Sequence, residues 1–199
     1  MKIKIAIFAS GNGSNAENVI QYFKKSDFAE VVLVLTNNKD AGVIGRATRL
    51  NVSVFEFSKE DLYSENTVFK KLSDAGVDWI ILAGFLLKFP ETLLKQYPNK
   101  VINIHPALLP KYGGKGMYGM NIHKAVVENK EKETGITIHY VNENYDEGEI
   151  IFQAKTNLTN TDTPESVAEK IHTLEQEYFP TVIEKLIINN KISPIYGGA

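Results

Sequence analysis

Five short runs rich in β-branched and aromatic residues, Ile3 to Phe8, Val31 to Leu35, Val52 to Phe57, Trp79 to Ala83 and Val101 to Ile104, alternate with segments of helical character. Apolar runs of that length suit strands covered on both faces, and strands separated by helices pair in parallel. The intervening helices are expected at Asn15 to Lys25, Ala41 to Leu50, Asp61 to Ala75 and Pro90 to Tyr97, with Pro90 at a first helical position, where its missing N–H costs little. The alternation predicts an α/β chain with an open, mostly parallel, doubly wound sheet. Ligands then belong at the carboxyl ends of the strands.

After His105 the rhythm changes. A glycine-rich loop leads to a helix near Asn121 to Asn129 and to two strands, Gly135 to Val141 and Glu149 to Lys155, joined by the polar turn from Asn142 to Gly148. Strands connected so closely form an antiparallel C-terminal portion. A long C-terminal helix starts with Thr163 as cap and Pro164 as first residue and continues toward Asn189, with Pro180 marking a kink. Val167, Ile171, Leu174, Tyr178, Val182 and Leu186 form its apolar stripe. Glu175 falls on or beside that stripe, where a carboxylate is not simply solvated.

The 199 residues fit a single domain, 1–199. A net charge of -2 gives no broad positive field for DNA or tRNA, so no nucleic-acid partner is expected. Zero cysteines exclude disulfides, thiolate metal sites and cysteine nucleophiles, and fit a reducing compartment. His105, His123, His139 and His172 show no metal-ligand spacing, so no metal is expected. The amino terminus alternates apolar residues with Lys2 and Lys4, which reads as a strand rather than a signal peptide. No run approaches the roughly 20 apolar residues of a membrane span, and the expected location is cytoplasmic.

The fifth run ends Asn103-Ile104-His105-Pro106. Strand alternation turns Asn103 and His105 to the same face, and Pro106 stops the strand there. The first run ends in Ser10-Gly11-Asn12-Gly13-Ser14-Asn15, whose glycines and helix start favour one phosphate of a small ligand. Gly11, Gly13 and Ala16 satisfy a dinucleotide fingerprint, yet the second strand ends Thr36-Asn37-Asn38, without the acidic residue that would hold a ribose. Asn103 can donate to a developing oxyanion, His105 can carry charge and move a proton, and Asp146 can fold back to stabilise an imidazolium. Such a set suits acyl transfer through a tetrahedral intermediate without a protein nucleophile. Ser14 is a poor candidate nucleophile because it lacks the flanking glycines of a nucleophile elbow.

Plainer readings stand beside these on the residues alone. The loop can be a tight strand-to-helix turn, Asn103 and His105 a structural hydrogen-bonding pair, and Asp146 an ordinary turn residue. Glu175 can be a partly buried carboxylate paired with a lysine, and Leu86 to Phe89 can be core packing or a helix entry.

Together, Ile7 to Asn15, Leu82-Ala83-Gly84-Phe85, Asn103 to Tyr112, Gly135 to Val141 and Asp146-Glu147-Gly148 resemble, in order and spacing, the folate-dependent formyltransferases that act on glycinamide ribonucleotide. The resemblance covers nearly the whole chain. It implies a Rossmann-like formyltransferase fold and an enzyme of de novo purine (IMP) biosynthesis that moves the formyl group of 10-formyltetrahydrofolate onto the glycinamide amine. It implies catalytic roles for Asn103, His105 and Asp146, and a ribonucleotide site at Gly13, Ser14 and Asn15. The same resemblance adds His172, Thr173, Leu174 and Glu175 to that site, with the Glu175 carboxylate at the glycinamide end. Folate would lie on Leu86, Leu87, Lys88 and Phe89 beside Asn103, with Asn142, Glu143, Asn144, Tyr145 and Asp146 closing over the pterin. Residues 1–100 then form a nucleotide- and phosphate-binding half, and 101–199 a catalytic and folate-binding half.

One segment departs from the family pattern. Gly113 to Asn121 is longer and richer in glycine than the usual connection, so the family's loop contacts do not carry onto Lys115 or Tyr118. It is either a mobile lid or a longer surface connection. Among rivals, a formyltetrahydrofolate hydrolase is expected to carry a regulatory domain ahead of the first strand. A methionyl-tRNA formyltransferase is expected to carry a second domain and a basic surface. A non-catalytic nucleotide-binding module would need only the Ser10 to Asn15 loop.

Overall fold

The computed structural model describes residues 1–64 and 66–192. In chain order the elements are β1 Ile3–Phe8, α1 Ser14–Phe23, β2 Ala29–Thr36, α2 Gly42–Arg49, β3 Ser53–Glu56, α3 Lys59–Tyr63, α4 Thr67–Asp74 and β4 Trp79–Leu82. There follow α5 Glu91–Gln96, β5 Val101–His105, α6 Met120–Glu128, β6 Glu133–Tyr140, β7 Ile150–Asn157 and α7 Pro164–Ile192. They build one seven-stranded sheet in the order β3-β2-β1-β4-β5-β6-β7. The first five strands pair in parallel, whereas β6 runs antiparallel to both β5 and β7. The chain winds outward from β1 through β2 to β3, then returns to place β4 on the other side of β1. That reversal opens a crevice at the carboxyl ends of β1 and β4. The mostly parallel sheet with an antiparallel end and a long final helix is therefore as the sequence predicts.

Strand alternation divides the core into two layers. Ile5, Ile7, Val34, Ile81, Ile102 and Ile104 face the layer that includes α1, α2 and α7. Ala6, Phe8, Leu33, Leu35, Ile80 and Leu82 face the layer of α3, α4 and α5. Both layers are apolar, so consecutive residues of one strand are buried in turn on opposite faces. No helix among the described residues is long and apolar enough to cross a membrane.

Several boundaries differ from the sequence reading. The helix expected from Asp61 to Ala75 is two helices, because Ser58 and Asp61 close a capping box that starts α3 at Lys59, and the chain turns extended at Ser64. Glu65 of that expected helix, and residues 193–199 of the expected second half, lie outside the described residues. Pro90 is the cap of α5 rather than its first residue, with an extended ψ of 137°. Thr163 caps α7 as expected, its Oγ1 accepting from the Ser166 amide at 3.2 Å, and Pro180 lies inside the helix. The buried face of α7 is wider than the expected stripe, since Phe179, Ile183 and Ile187 are buried more completely than Leu174, Tyr178 and Leu186. In the sheet, β4 lies between β1 and β5.

Gly135 in β6 lies against β7 so closely that a Cβ there would stand 1.9 Å from the Ala154 carbonyl oxygen and 2.7 Å from Leu108 Cδ2. Backbone cannot yield as a side-chain tip can. Gly135→Ala should therefore cost about 3 kcal/mol or more of stability, read as a lower denaturant midpoint at unchanged slope. A midpoint within error of wild type would refute the close approach.

Candidate active site

The loop after β1 is held from behind by polar contacts. Ser10 donates its amide to the Gly84 carbonyl at 3.0 Å and its hydroxyl to Asn37 Oδ1 at 2.7 Å, while its hydroxyl oxygen accepts the Leu86 amide at 3.1 Å. Asn38 Nδ2 donates to the Ser10 carbonyl at 3.1 Å. The asparagines at the tip of β2, where a dinucleotide site would want a carboxylate, thus brace the loop instead. Gly13 caps α1 at φ 80°, and a Cβ there would stand 2.5 Å from Val43 Cβ, so only glycine fits. The first amides of α1 face a cavity of about 950 Å³, whose wall includes Gly13, Ser14 and Asn15.

The carboxyl end of β5 brings Asn103 and His105 to the same cavity. His105 is 4 % exposed, and its Nε2–H donates to the Tyr112 carbonyl at 2.8 Å. A carbonyl only accepts, so that contact fixes a proton on Nε2 and leaves Nδ1 toward Asp146, whose Oδ1 is 3.5 Å away. Burial pushes the His105 pKa down, while the Asp146 carboxylate and the Tyr112 carbonyl oppose it without overcoming it. Asp146 shows the opposite balance. Burial would raise its pKa, but the His139 and His105 rings and the Gly114 amide, which donates to Oδ2 at 2.9 Å, hold it below the usual carboxylate range. It adopts a left-handed φ of 56°, which aspartate tolerates, and this aims its side chain back from the turn.

His139, which the sequence reading considered only as a metal ligand, completes the cluster. It is 2 % exposed and lies opposite Asn103 in the β5–β6 register. Its Nδ1–H donates to the Tyr140 carbonyl at 2.8 Å, leaving Nε2 to accept from Asn103 Nδ2 at 3.1 Å. Nε2 also stands 3.7 Å from Asp146 Oδ1. Part of the signal was local: Thr137 and His139 alternate with the buried Ile136 and Ile138, while the side they face, that of Asn103 and His105, is set by the β5–β6 register. His123 was also missed; it lines the cavity from α6, with a buried Nδ1 that has no partner among the described residues.

The remaining expected site residues divide. Leu86, Tyr145, His172 and Glu175 line the cavity. Leu87 and Phe89 do not: Phe89 is 4 % exposed and stacks edge-on against Phe8 at 5.3 Å, and both belong to the core layer of α3 to α5. Lys88 is exposed, and its carbonyl accepts the Tyr63 hydroxyl at 2.8 Å. Asn142 and Asn144 shape the turn, with Asn142 Oδ1 accepting the Asn144 amide at 3.0 Å, and Glu143 points to solvent. On α7 only residues one turn apart share the cavity face. Thr173 therefore bonds back to the Glu169 carbonyl at 3.0 Å, and Leu174 joins the core.

Glu175 is the most perturbed group in the cavity. Burial pushes its pKa up to about 7, with a hydrogen bond from Asn15 pulling the other way. His172 Nδ1 lies 3.9 Å from its Oε2, and no lysine pairs with it among the described residues. The glycine-rich segment, expected as a lid or as a surface connection, forms a wall of the cavity from Gly114 to Met120 and leaves Tyr118 half exposed. No cluster of three or more His, Asp or Glu suited to a metal is found among the described residues.

The formyl transferase family model matches residues 3–183. The chloroplastic phosphoribosylglycinamide formyltransferase of Arabidopsis thaliana is 38% identical over 186 residues, which cover 90% of this chain and 64% of that protein. The phosphoribosylglycinamide formyltransferase of Bacillus subtilis (strain 168) is 36% identical over 194 residues, covering 94% of this chain and 97% of that protein. Among solved structures, phosphoribosylglycinamide formyltransferase from Bacillus halodurans superposes with a TM-score of 0.85 at 32% identity, over 98% of this chain and 100% of that one. Glycinamide ribonucleotide transformylase 1 from Geobacillus kaustophilus gives 0.84 at 36% identity, over 94% and 99%. With the sheet order, the crevice and these likenesses in agreement, the chain belongs to the formyl transferase family, among its phosphoribosylglycinamide formyltransferases.

Proposed function

We infer that the protein transfers the formyl group of 10-formyltetrahydrofolate to the amine of glycinamide ribonucleotide, giving formylglycinamide ribonucleotide and tetrahydrofolate. The observation that carries this reading is one cavity in which Asn103, His105 and Asp146 meet beside both the Gly13 cradle and Glu175. A nucleotide-binding module would need only the cradle. A cytoplasmic setting suits a chain without cysteine.

In this reading the phosphate lies on the amides of Gly13 to Asn15, and Glu175 takes the glycinamide end. Folate occupies the opposite side, between Leu86 and the turn of Tyr145 and Asp146. The amine lone pair attacks the formyl carbon, forming a C–N bond as the carbonyl pair moves onto oxygen. Collapse breaks the bond to N10 of the folate, and the proton lost by the new amide nitrogen arrives at N10. Asn103 Nδ2 spends one N–H on His139 and has a second for the oxyanion. Burial disfavours His105 as a cation, but a negative oxyanion beside it would favour that cation, with Asp146 as counter-charge. Stabilisation is then strongest when the intermediate forms, as catalysis requires.

Incubation with both substrates and mass analysis of the products tests the reading. A product heavier than the acceptor by one formyl group is expected, and formate release alone would point to a hydrolase. His105→Ala should lower kcat on the order of a hundredfold or more with modest changes in KM. Asp146→Asn should also slow transfer, and it should move the His105 limb of the kcat profile to lower pH, since Asp146 is the larger of the two influences, with the Tyr112 carbonyl, that raise the His105 pKa. Near-normal turnover in His105→Ala would eliminate its role.

Glu175 generates a separate expectation. Its folded-state value near 7 lies above the ordinary 4.5, so both states are protonated in acid and the folded state loses ground as pH rises between those values. The stability at stake is on the order of 3 kcal/mol. Glu175→Gln should therefore be more resistant to denaturant than wild type at pH 8 but not at pH 4, while its KM for glycinamide ribonucleotide rises and its KM for folate does not. An equal stability change at both pH values would refute the buried carboxylate.

A further inference from the structure

The side of the cradle loop that faces away from the catalytic cluster is gripped by α2. Val43 donates its amide to the Gly11 carbonyl at 3.2 Å, and Gly42 comes so close to Asn12 that a Cβ would stand 3.0 Å from its carbonyl oxygen. One turn further along α2, Arg46 Nε donates to that same Asn12 carbonyl at 2.8 Å and Nη2 to Asn12 Oδ1 at 3.0 Å. The third nitrogen, Nη1, contacts Glu17 Oε2. All three guanidinium nitrogens are thus engaged, and the planar fork permits little movement.

Glu17 explains why a cation is needed there. It lies in the first turn of α1, where the helix dipole favours a negative charge, and its side chain is only 22% exposed. A phosphate at the amides of Ser14 and Asn15 would meet that carboxylate across one helical turn. The second cation near Glu17, Arg49, stands at 3.5 Å and is 66% exposed, so solvent screens it. A polar hollow of about 400 Å³ lined by Arg46 and Glu17 shares Ser14 and His172 with the main cavity, so the pair lies beside the phosphate position.

We propose that Arg46 is a positioning residue for the phosphate of the acceptor: it fixes the Asn12 turn and cancels the Glu17 charge, so that the start of α1 can accept a dianion. The proposal rests on the functional reading above. Arg46 touches no reacting atom, and its effect belongs to the phosphate end alone.

The test compares glycinamide ribonucleotide with the glycinamide riboside that lacks the 5′-phosphate. Wild type should prefer the phosphorylated acceptor in kcat/KM. Arg46→Gln should raise KM for that acceptor on the order of tenfold or more, leave its kcat and the folate KM nearly unchanged, and leave kcat/KM for the riboside within about twofold. Equal losses on both acceptors would reduce Arg46 to a structural brace and overturn the proposal, as would an intact preference. The double variant Glu17→Gln/Arg46→Gln, which leaves no unpaired carboxylate, should regain part of the preference; one no better than Arg46→Gln would defeat the charge argument. Arg46→Lys, which keeps the charge but loses the double hold on Asn12, serves if Arg46→Gln does not fold, and its smaller loss should again fall on the phosphorylated acceptor alone. No formyl transfer by wild type to either acceptor would overturn the functional reading, and this proposal with it.

Discussion

A carboxylate taken out of water must find partners, and the Asp146 side chain, 12% exposed, finds them on three separate stretches of chain. His105 at the end of β5, His139 on β6 and the Gly114 amide of the glycine-rich segment all converge on its two oxygens. The Gly114 amide donates to Oδ2, and each ring stabilises the carboxylate when it carries a proton on the nitrogen that faces Oδ1. The antiparallel end of the sheet, the left-handed backbone at Asp146 and the course of the Gly113 to Gly119 loop together bring these groups to the carboxylate. The same requirement sets the chemistry, because the charge that organises these segments is the one that opposes the burial of His105.

The two histidines illustrate how backbone carbonyls assign roles to identical side chains. His105 gives Nε2–H to Tyr112, and His139 gives Nδ1–H to Tyr140, so the rings present opposite nitrogens to their surroundings. His139 is left as an acceptor and orients the Asn103 amide. His105 is left with its second nitrogen facing a carboxylate, where a proton can be gained or lost.

Much of this was legible in the sequence because period-two alternation and proline are local signals. The runs at Ile3 to Phe8 and Val101 to His105 give the strands, and Pro106 gives the edge at which Asn103 and His105 emerge. The strained place of Glu175 on an apolar helix face was readable for the same reason. What was not readable depended on long-range pairing. Nothing near His139 says that it will stand opposite Asn103, and nothing near Arg46 says that it will hold Asn12, 34 residues away. The side chain of Phe89, a residue that the resemblance places at the folate site, packs on Phe8, and in sequence an apolar residue after a strand looks the same whether it meets a ligand or the core. The early start of α3 at Lys59 follows from a capping box whose two members were not read together, and α3 ends where Ser64 turns extended.

The loop after β1 presents main-chain amides to the cavity, and the side chains that shape it stand behind it: Ser10, Asn37 and Asn38 on one side, and Val43 beneath Gly13 on another. A ligand held by these amides would be indifferent to what Ser14 carries outward, while it would depend on how the peptide planes of the loop are tilted. Engineering of acceptor preference should then begin in the scaffolding under the loop, where a methyl group more or less rotates a peptide, and not among the residues that a docked ligand would touch.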